Sequence, residues 1–127
     1  MYKVLIVEDE PNTRNLMQTF ITKKFGFTVK KASNGIEGLS ILQEFNPDFI
    51  LLDISMPFMS GIDMLKAMKK ESRYMNIPII IMSAHNDQVM INEIISLGIS
   101  DYILKPVDLK MAFERIQKVV NVLRKIN

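Results

Sequence analysis

Five positions along this 127-residue chain carry side chains that could do chemistry together: Glu8 and Asp9, Asp53, Ser83 and Lys105. Each has an ordinary reading when taken alone. An acidic pair after a strand serves as a solvated strand end or a helix cap. Asp53 could sit in a turn, and Ser83 could cap a following helix. Lys105 could be a surface charge, with Pro106 starting a helix. Taken as a group, they spell out phosphoryl chemistry. A carboxylate can attack phosphorus and form an aspartyl phosphate. Three crowded carboxylates repel one another, and a bound divalent cation is the simplest remedy. An all-oxygen donor set with few protein ligands favours magnesium, which keeps waters and takes up a phosphate oxygen readily. Lys105 and the metal would offset charge on the transferring group, and the Ser83 hydroxyl could donate a hydrogen bond to the product.

These residues can act together only if the backbone brings them together. Strand-like apolar runs occupy residues 2–7, 28–32, 49–52, 77–82 and 101–104. The first and fourth contain continuous apolar stretches, as expected of strands covered on both faces. Helical spacing fills the gaps. Leu16, Met17, Phe20 and Ile21 form one stripe, and Ile36, Leu39, Leu42 and Phe45 a second. Ile62, Leu65 and Met68 form a third, and Val89, Met90, Ile94 and Leu97 a fourth. Pro11 suits a first helical turn. Gly26 and Gly98 suit helix ends, and Asn34 and Ser60 suit N-caps. The alternation implies βαβ units, right-handed crossovers and a parallel sheet. The expected fold is therefore α/β, a five-stranded parallel sheet in a flavodoxin-like, doubly wound (βα)5 arrangement. With the flavodoxin-type strand order 2-1-3-4-5, taken by analogy, the reactive residues meet in the crevice at the strand C-termini.

Composition narrows the alternatives. The chain holds no cysteine, which excludes disulfides, thiolate metal sites and thiol nucleophiles and agrees with a cytoplasmic location. No signal peptide is expected, because the apolar run at residues 4–7 is short and acids follow at once. No stretch approaches the roughly 20 apolar residues of a membrane helix. The net charge is +2, and the lysine pairs 23–24, 30–31 and 69–70 read as solvated element ends. They lack the aromatic interleaving of a nucleic-acid surface, so no direct nucleic-acid binding is expected. His85 is the one histidine; without a histidine or cysteine partner it reads as a loop residue and not a metal ligand.

The acidic pair Glu8-Asp9, the segment Asp53-Ile54-Ser55-Met56-Pro57 with Gly61 after it, Ser83-Ala84 and Lys105-Pro106 resemble, in order, the response-regulator receiver family. The likeness covers nearly the whole chain, read as one receiver domain over residues 1–127. It implies that Asp53 accepts the phosphoryl group. It implies that Asp9 and Asp53 ligate magnesium directly, that Glu8 assists, and that Ser55 offers a backbone carbonyl to the metal. Ser83 would be the hydroxyl that moves toward the phosphoryl group, Lys105 the lysine that pairs with it, and Tyr102 the aromatic switch residue. Without the family, Tyr102 reads equally well as a half-buried edge-strand residue. A cis peptide before Pro106 is implied as well. Ser55 and His85, each two residues beyond a site residue, would border the path of attacking water and tune phosphoryl lifetime.

The resemblance implies a two-component switch. A sensor histidine kinase or phosphotransfer protein would supply the phosphoryl group. A downstream protein would read the face made by the fourth helix, fifth strand and fifth helix. In the last segment, Leu109, Phe113, Ile116 and Val120 suit packing on the sheet. Leu109, Ala112, Ile116, Val119, Leu123 and Ile126 follow a short coiled-coil spacing. That seam fits an ordinary amphipathic helix, a homodimer contact or a lead into a further domain. The competing functions are a phosphorylation-independent interaction module, an aspartate-nucleophile phosphohydrolase and a flavin protein. The complete acidic site argues against the first. Ser55 in place of an acid, with no cap insertion, argues against the second. The third lacks a phosphate loop after the first strand.

Overall fold

The computed structural model describes residues 1–54 and 59–126. Strands β1 (Lys3–Val7), β2 (Thr28–Ala32), β3 (Phe49–Asp53), β4 (Ile79–Ser83) and β5 (Asp101–Leu104) alternate with helices α1 (Pro11–Phe25), α2 (Gly35–Leu42), α3 (Gly61–Lys69), α4 (Gln88–Ser96) and α5 (Leu109–Ile126). All neighbouring strands pair in parallel, in the order β2-β1-β3-β4-β5. The expected α/β flavodoxin-like fold is the observed one.

Alternation along each strand sorts the core into two layers, because successive side chains point to opposite faces. Val4, Ile6, Phe49, Leu51, Ile80, Met82 and Ile103 face α1 and α5. Leu5, Val7, Ile50, Leu52, Ile79 and Ile81 face the layer of α2, α3 and α4. β3 and β4 are buried along their whole length, which is why they read as unbroken apolar runs. Each fully buried Leu, Ile or Phe contributes about 1.5–3 kcal/mol of transfer free energy. The Phe25 and Phe113 rings stack with centroids 5.0 Å apart and join α1 to α5.

The caps follow the sequence closely. Pro11 opens α1, the Asn34 side chain accepts the Glu37 N–H, and the Ser60 hydroxyl accepts the Asp63 N–H. Gly26 and Gly98 have the positive φ of helix terminators. The α1 cap itself is Glu10, whose carboxylate accepts the N–H groups of Asn12 and Thr13. α5 starts two residues beyond Val107, capped by Asp108, so Pro106 does not open it.

Several stripe residues face water instead of the core, among them Leu109 and Phe113 of α5, which the sequence reading places on the sheet. Leu16, Ile36 and Val89 are 45%, 57% and 74% exposed. For Ile36 the cause lies next door: α2 buries Gly35, Gly38 and Leu42. A Cβ on Gly38 would lie 2.9 Å from the end of Met64 and 3.2 Å from Val7, so the helix approaches the sheet on its glycine face and turns Ile36 outward. α4 buries Ile94 and leaves Val89 and Ile95 exposed. In α5 the coiled-coil positions Ala112, Ile116 and Val119 are buried against the sheet and Leu123 packs beside them. The middle of the seam is therefore occupied by the protein's own core, while its end positions Leu109 and Ile126 are exposed. Among the described residues no helix is long and apolar enough to cross a membrane.

Candidate phosphoacceptor site

Strand register delivers the reactive side chains to one edge. Val7 pairs with Leu52, Asp53 with Met82, and Ser83 with Leu104. Glu8, one residue past β1, is anchored by its N–H to the Ala32 carbonyl at 3.0 Å. Lys105, one residue past β5, is anchored by its N–H to the Ser83 carbonyl at 2.8 Å. The Lys105–Pro106 peptide is cis.

The carboxylates of Glu8, Asp9 and Asp53 converge, each offering an oxygen within 4.8 Å of the others. Glu8 is wholly buried and Asp53 is 2% exposed, while Asp9 is half-buried. The Lys105 ammonium lies 2.6 Å from Glu8 Oε1 and 3.2 Å from Asp53 Oδ1. One ammonium faces three carboxylates, and the imbalance appears in Asp53. Burial chiefly, with the Glu8 charge next, pushes its carboxyl up from the ordinary 3.8 to about 7, against the pull of Lys105. Burial disfavours the Lys105 ammonium, but the hydrogen bond to Glu8 and the charges of Asp53 and Glu8 outweigh it, so its pKa is raised.

These residues suit a hard divalent cation. Every converging donor is a carboxylate oxygen, and the cluster carries more negative charge than Lys105 balances. Glu8 Oε1 is buried and meets the Lys105 ammonium at 2.6 Å. Glu8, Asp9 and Asp53 would hold the ion. Ser55, the fourth metal position read from the sequence, lies outside the described residues.

Ser83 is buried at the end of β4, and its Oγ accepts the His85 N–H at 3.1 Å. Tyr102 is half-buried, and its hydroxyl donates to the His85 carbonyl at 2.8 Å. The two switch candidates thus meet at one residue, His85, through its backbone. The side chain of His85 is exposed.

Sequence reasoning missed Arg14 and read Gly61 only as part of a motif. Arg14 reaches back from α1 to the carbonyls of Glu8 and Asp9; its cation in the first turn of a helix, against the macrodipole, was a readable signal. Gly61 packs its backbone onto Asp53: its N–H donates to the Ile54 carbonyl at 2.9 Å, and a Cβ there would lie 2.0 Å from the Asp53 carbonyl oxygen. Gly61 was noticed as part of a motif, but nothing in the sequence shows what it touches.

The model of the response regulator receiver domain matches residues 4–117. The chain is 37% identical over 117 residues to the chemotaxis protein CheY of Thermotoga maritima, covering 92% of this chain and 96% of that one. It is 35% identical over 126 residues to the probable C4-dicarboxylate response regulator DctR of Bacillus subtilis, covering 98% of this chain and 55% of that protein. It spans about half the length of both DctR relatives that it matches. Among solved structures, the chemotaxis response regulator CheY4 of Vibrio cholerae superposes with a TM-score of 0.87 at 28% identity, covering 94% of this chain and 98% of that one. The chain belongs to the response regulator receiver family. Members of this family are signalling domains of two-component systems, not classical enzymes. They take phosphoryl groups from histidine kinases, regulate downstream effectors and bind magnesium at an acidic pocket.

Proposed function

We propose that residues 1–127 form one receiver domain that accepts a phosphoryl group onto Asp53 in a magnesium-dependent reaction and changes its partner binding in response. The observation that carries this reading is the buried Asp53, set among Glu8, Asp9 and Lys105 at the C-terminal edge of a parallel sheet. Asp53 Oδ forms a new P–O bond as the P–N bond to a donor phosphohistidine breaks, and the donor imidazole takes up a proton as it leaves. The donor is a sensor histidine kinase or a phosphotransfer protein. Attack needs the carboxylate form, which burial and Glu8 disfavour. A magnesium ion held by Glu8, Asp9, Asp53 and the Ser55 carbonyl would supply positive charge for the carboxylates and for the phosphoryl oxygens. Lys105 turns from Glu8 and Asp53 to an oxygen of the bound phosphoryl group.

The Ser83 hydroxyl has a hydrogen to donate besides the lone pair that His85 N–H uses. Drawn toward a phosphoryl oxygen, it pulls on the His85 backbone, and through that backbone on Tyr102. The readout is the face of α4, β5 and α5, where Val89, Ile95 and Leu104 are exposed apolar residues. A phosphorylation-dependent protein partner fits this surface, in a cytoplasmic setting and without direct nucleic-acid or membrane contact.

Beryllofluoride, an acyl-phosphate mimic, tests the switch. With magnesium present, the amide resonances of Ser83, His85 and Tyr102 are expected to shift on titration. Shifts confined to residues around Asp53, with those three amides unmoved, would contradict the proposed relay.

A further inference from the structure

Arg14 sits in a place that helix electrostatics disfavours. The first turn of α1 holds no acidic residue, and a cation there faces the positive end of the macrodipole. A local rule broken at the edge of a site calls for a compensating contact. The contact is with the acidic loop: Arg14 Nη1 donates to the Glu8 carbonyl at 2.8 Å and to the Asp9 carbonyl at 3.3 Å.

Those two carbonyls belong to the two peptide planes that flank the Asp9 Cα. A peptide is planar, so holding both planes fixes the φ and ψ of Asp9 and with them the direction of its Cα–Cβ bond. The second plane is held at its other end too, because the Glu10 N–H donates to Glu8 Oε2 at 3.2 Å. Asp9 needs such support more than its neighbours do. Glu8 and Asp53 are buried and fixed by packing, whereas Asp9 is half-buried.

We propose that Arg14 is a positioning residue, clamping the two peptide planes around Asp9 so that its carboxylate points into the acidic cluster in advance of a divalent cation; this rests on the reading of that cluster as a magnesium site. Arg14 touches neither the ion nor the phosphoryl group. Its charge alone would act in the opposite sense, since a nearby cation repels magnesium, and the two effects can be told apart.

The test compares wild type with Arg14→Met and Arg14→Lys. Magnesium binding is measured by calorimetry on the full chain, and hydrogen exchange of the Glu10 amide is measured in chelator. Loss of the clamp should weaken magnesium binding about 10-fold in Arg14→Met, the scale seen when a partner that orients a metal ligand is removed. Lysine, which keeps the charge and N–H donors but on a shorter stem without the planar guanidinium, should recover part of the loss. The Glu10 amide should exchange faster in Arg14→Met even without metal. Magnesium binding in Arg14→Met equal to or tighter than wild type would overturn the positioning role and leave Arg14 as a charge. Glu10 exchange no faster than in wild type would overturn the clamp itself. Wild-type protein that takes up no magnesium would instead sink the metal reading, while the exchange measurement would still decide the clamp.

Discussion

At the scale of single residues, the site is a problem of charge. Glu8, Asp9 and Asp53 crowd into a space with one ammonium, and the free carboxylates are unstable there without further positive charge. Lys105 bridges Glu8 and Asp53, contacts that the proposed phosphoryl group would displace. The raised Asp53 pKa of about 7 makes a testable statement about stability. Between its ordinary 3.8 and about 7, the folded protein binds a proton that the unfolded chain has lost. Stability of the metal-free protein should therefore fall as pH rises through this window and level off above it. Asp53→Asn removes the titration and should be more stable than wild type by about 1–3 kcal/mol at pH 8, with a smaller gain at pH 5. Urea unfolding in chelator across this range reads the difference. A gap between the two proteins that does not widen with pH would contradict the assignment of the shift to Asp53.

At the scale of elements, what the sequence exposes and what it hides follow from the kind of interaction involved. Strand and helix placement was legible because it rests on periodicity and on caps such as Asn34 and Ser60, which are local signals. The placement of Glu8, Asp9, Asp53, Ser83 and Lys105 on one edge was legible because parallel strands end on one edge, while their meeting rested on a strand order taken by analogy. Exposure of Ile36 was not, because it depends on how closely α2 can approach across Gly38. Nor was the meeting of Ser83 and Tyr102 at His85, which uses backbone atoms that every residue has. Gly61 is the sharpest case. Its backbone fits against the Asp53 carbonyl so tightly that any Cβ must displace the end of β3 or the start of α3. Gly61→Ala should cost about 2–4 kcal/mol of stability, the range of a severe steric insertion, and should slow phosphoryl uptake even in the fraction that stays folded. Chemical unfolding measures the first effect. A loss below 0.5 kcal/mol, the scale of an ordinary surface change, would mean that the close approach is absent.

At the scale of the whole molecule, one sheet separates two packing layers and gathers the candidate site at its C-terminal edge. The covering helices differ in how much apolar surface they keep for themselves. α5 commits Ala112, Ile116, Val119 and Val120 to the core, whereas α4 commits Ile94 and leaves Val89 and Ile95 outside. A helix with one fully buried residue, beside the Ser83–His85–Tyr102 connection, is suited to shift between two positions, which is what a switch requires. Whether Asp53 takes a phosphoryl group decides the proposed function, and intact mass after incubation with acetyl phosphate reads it. With magnesium, wild type should gain the mass of one phosphoryl group, while chelator or Asp53→Asn should abolish the gain. A gain that persists in Asp53→Asn or in chelator would contradict the central claim, and so would no gain in wild type from either acetyl phosphate or a panel of phosphorylated histidine kinases.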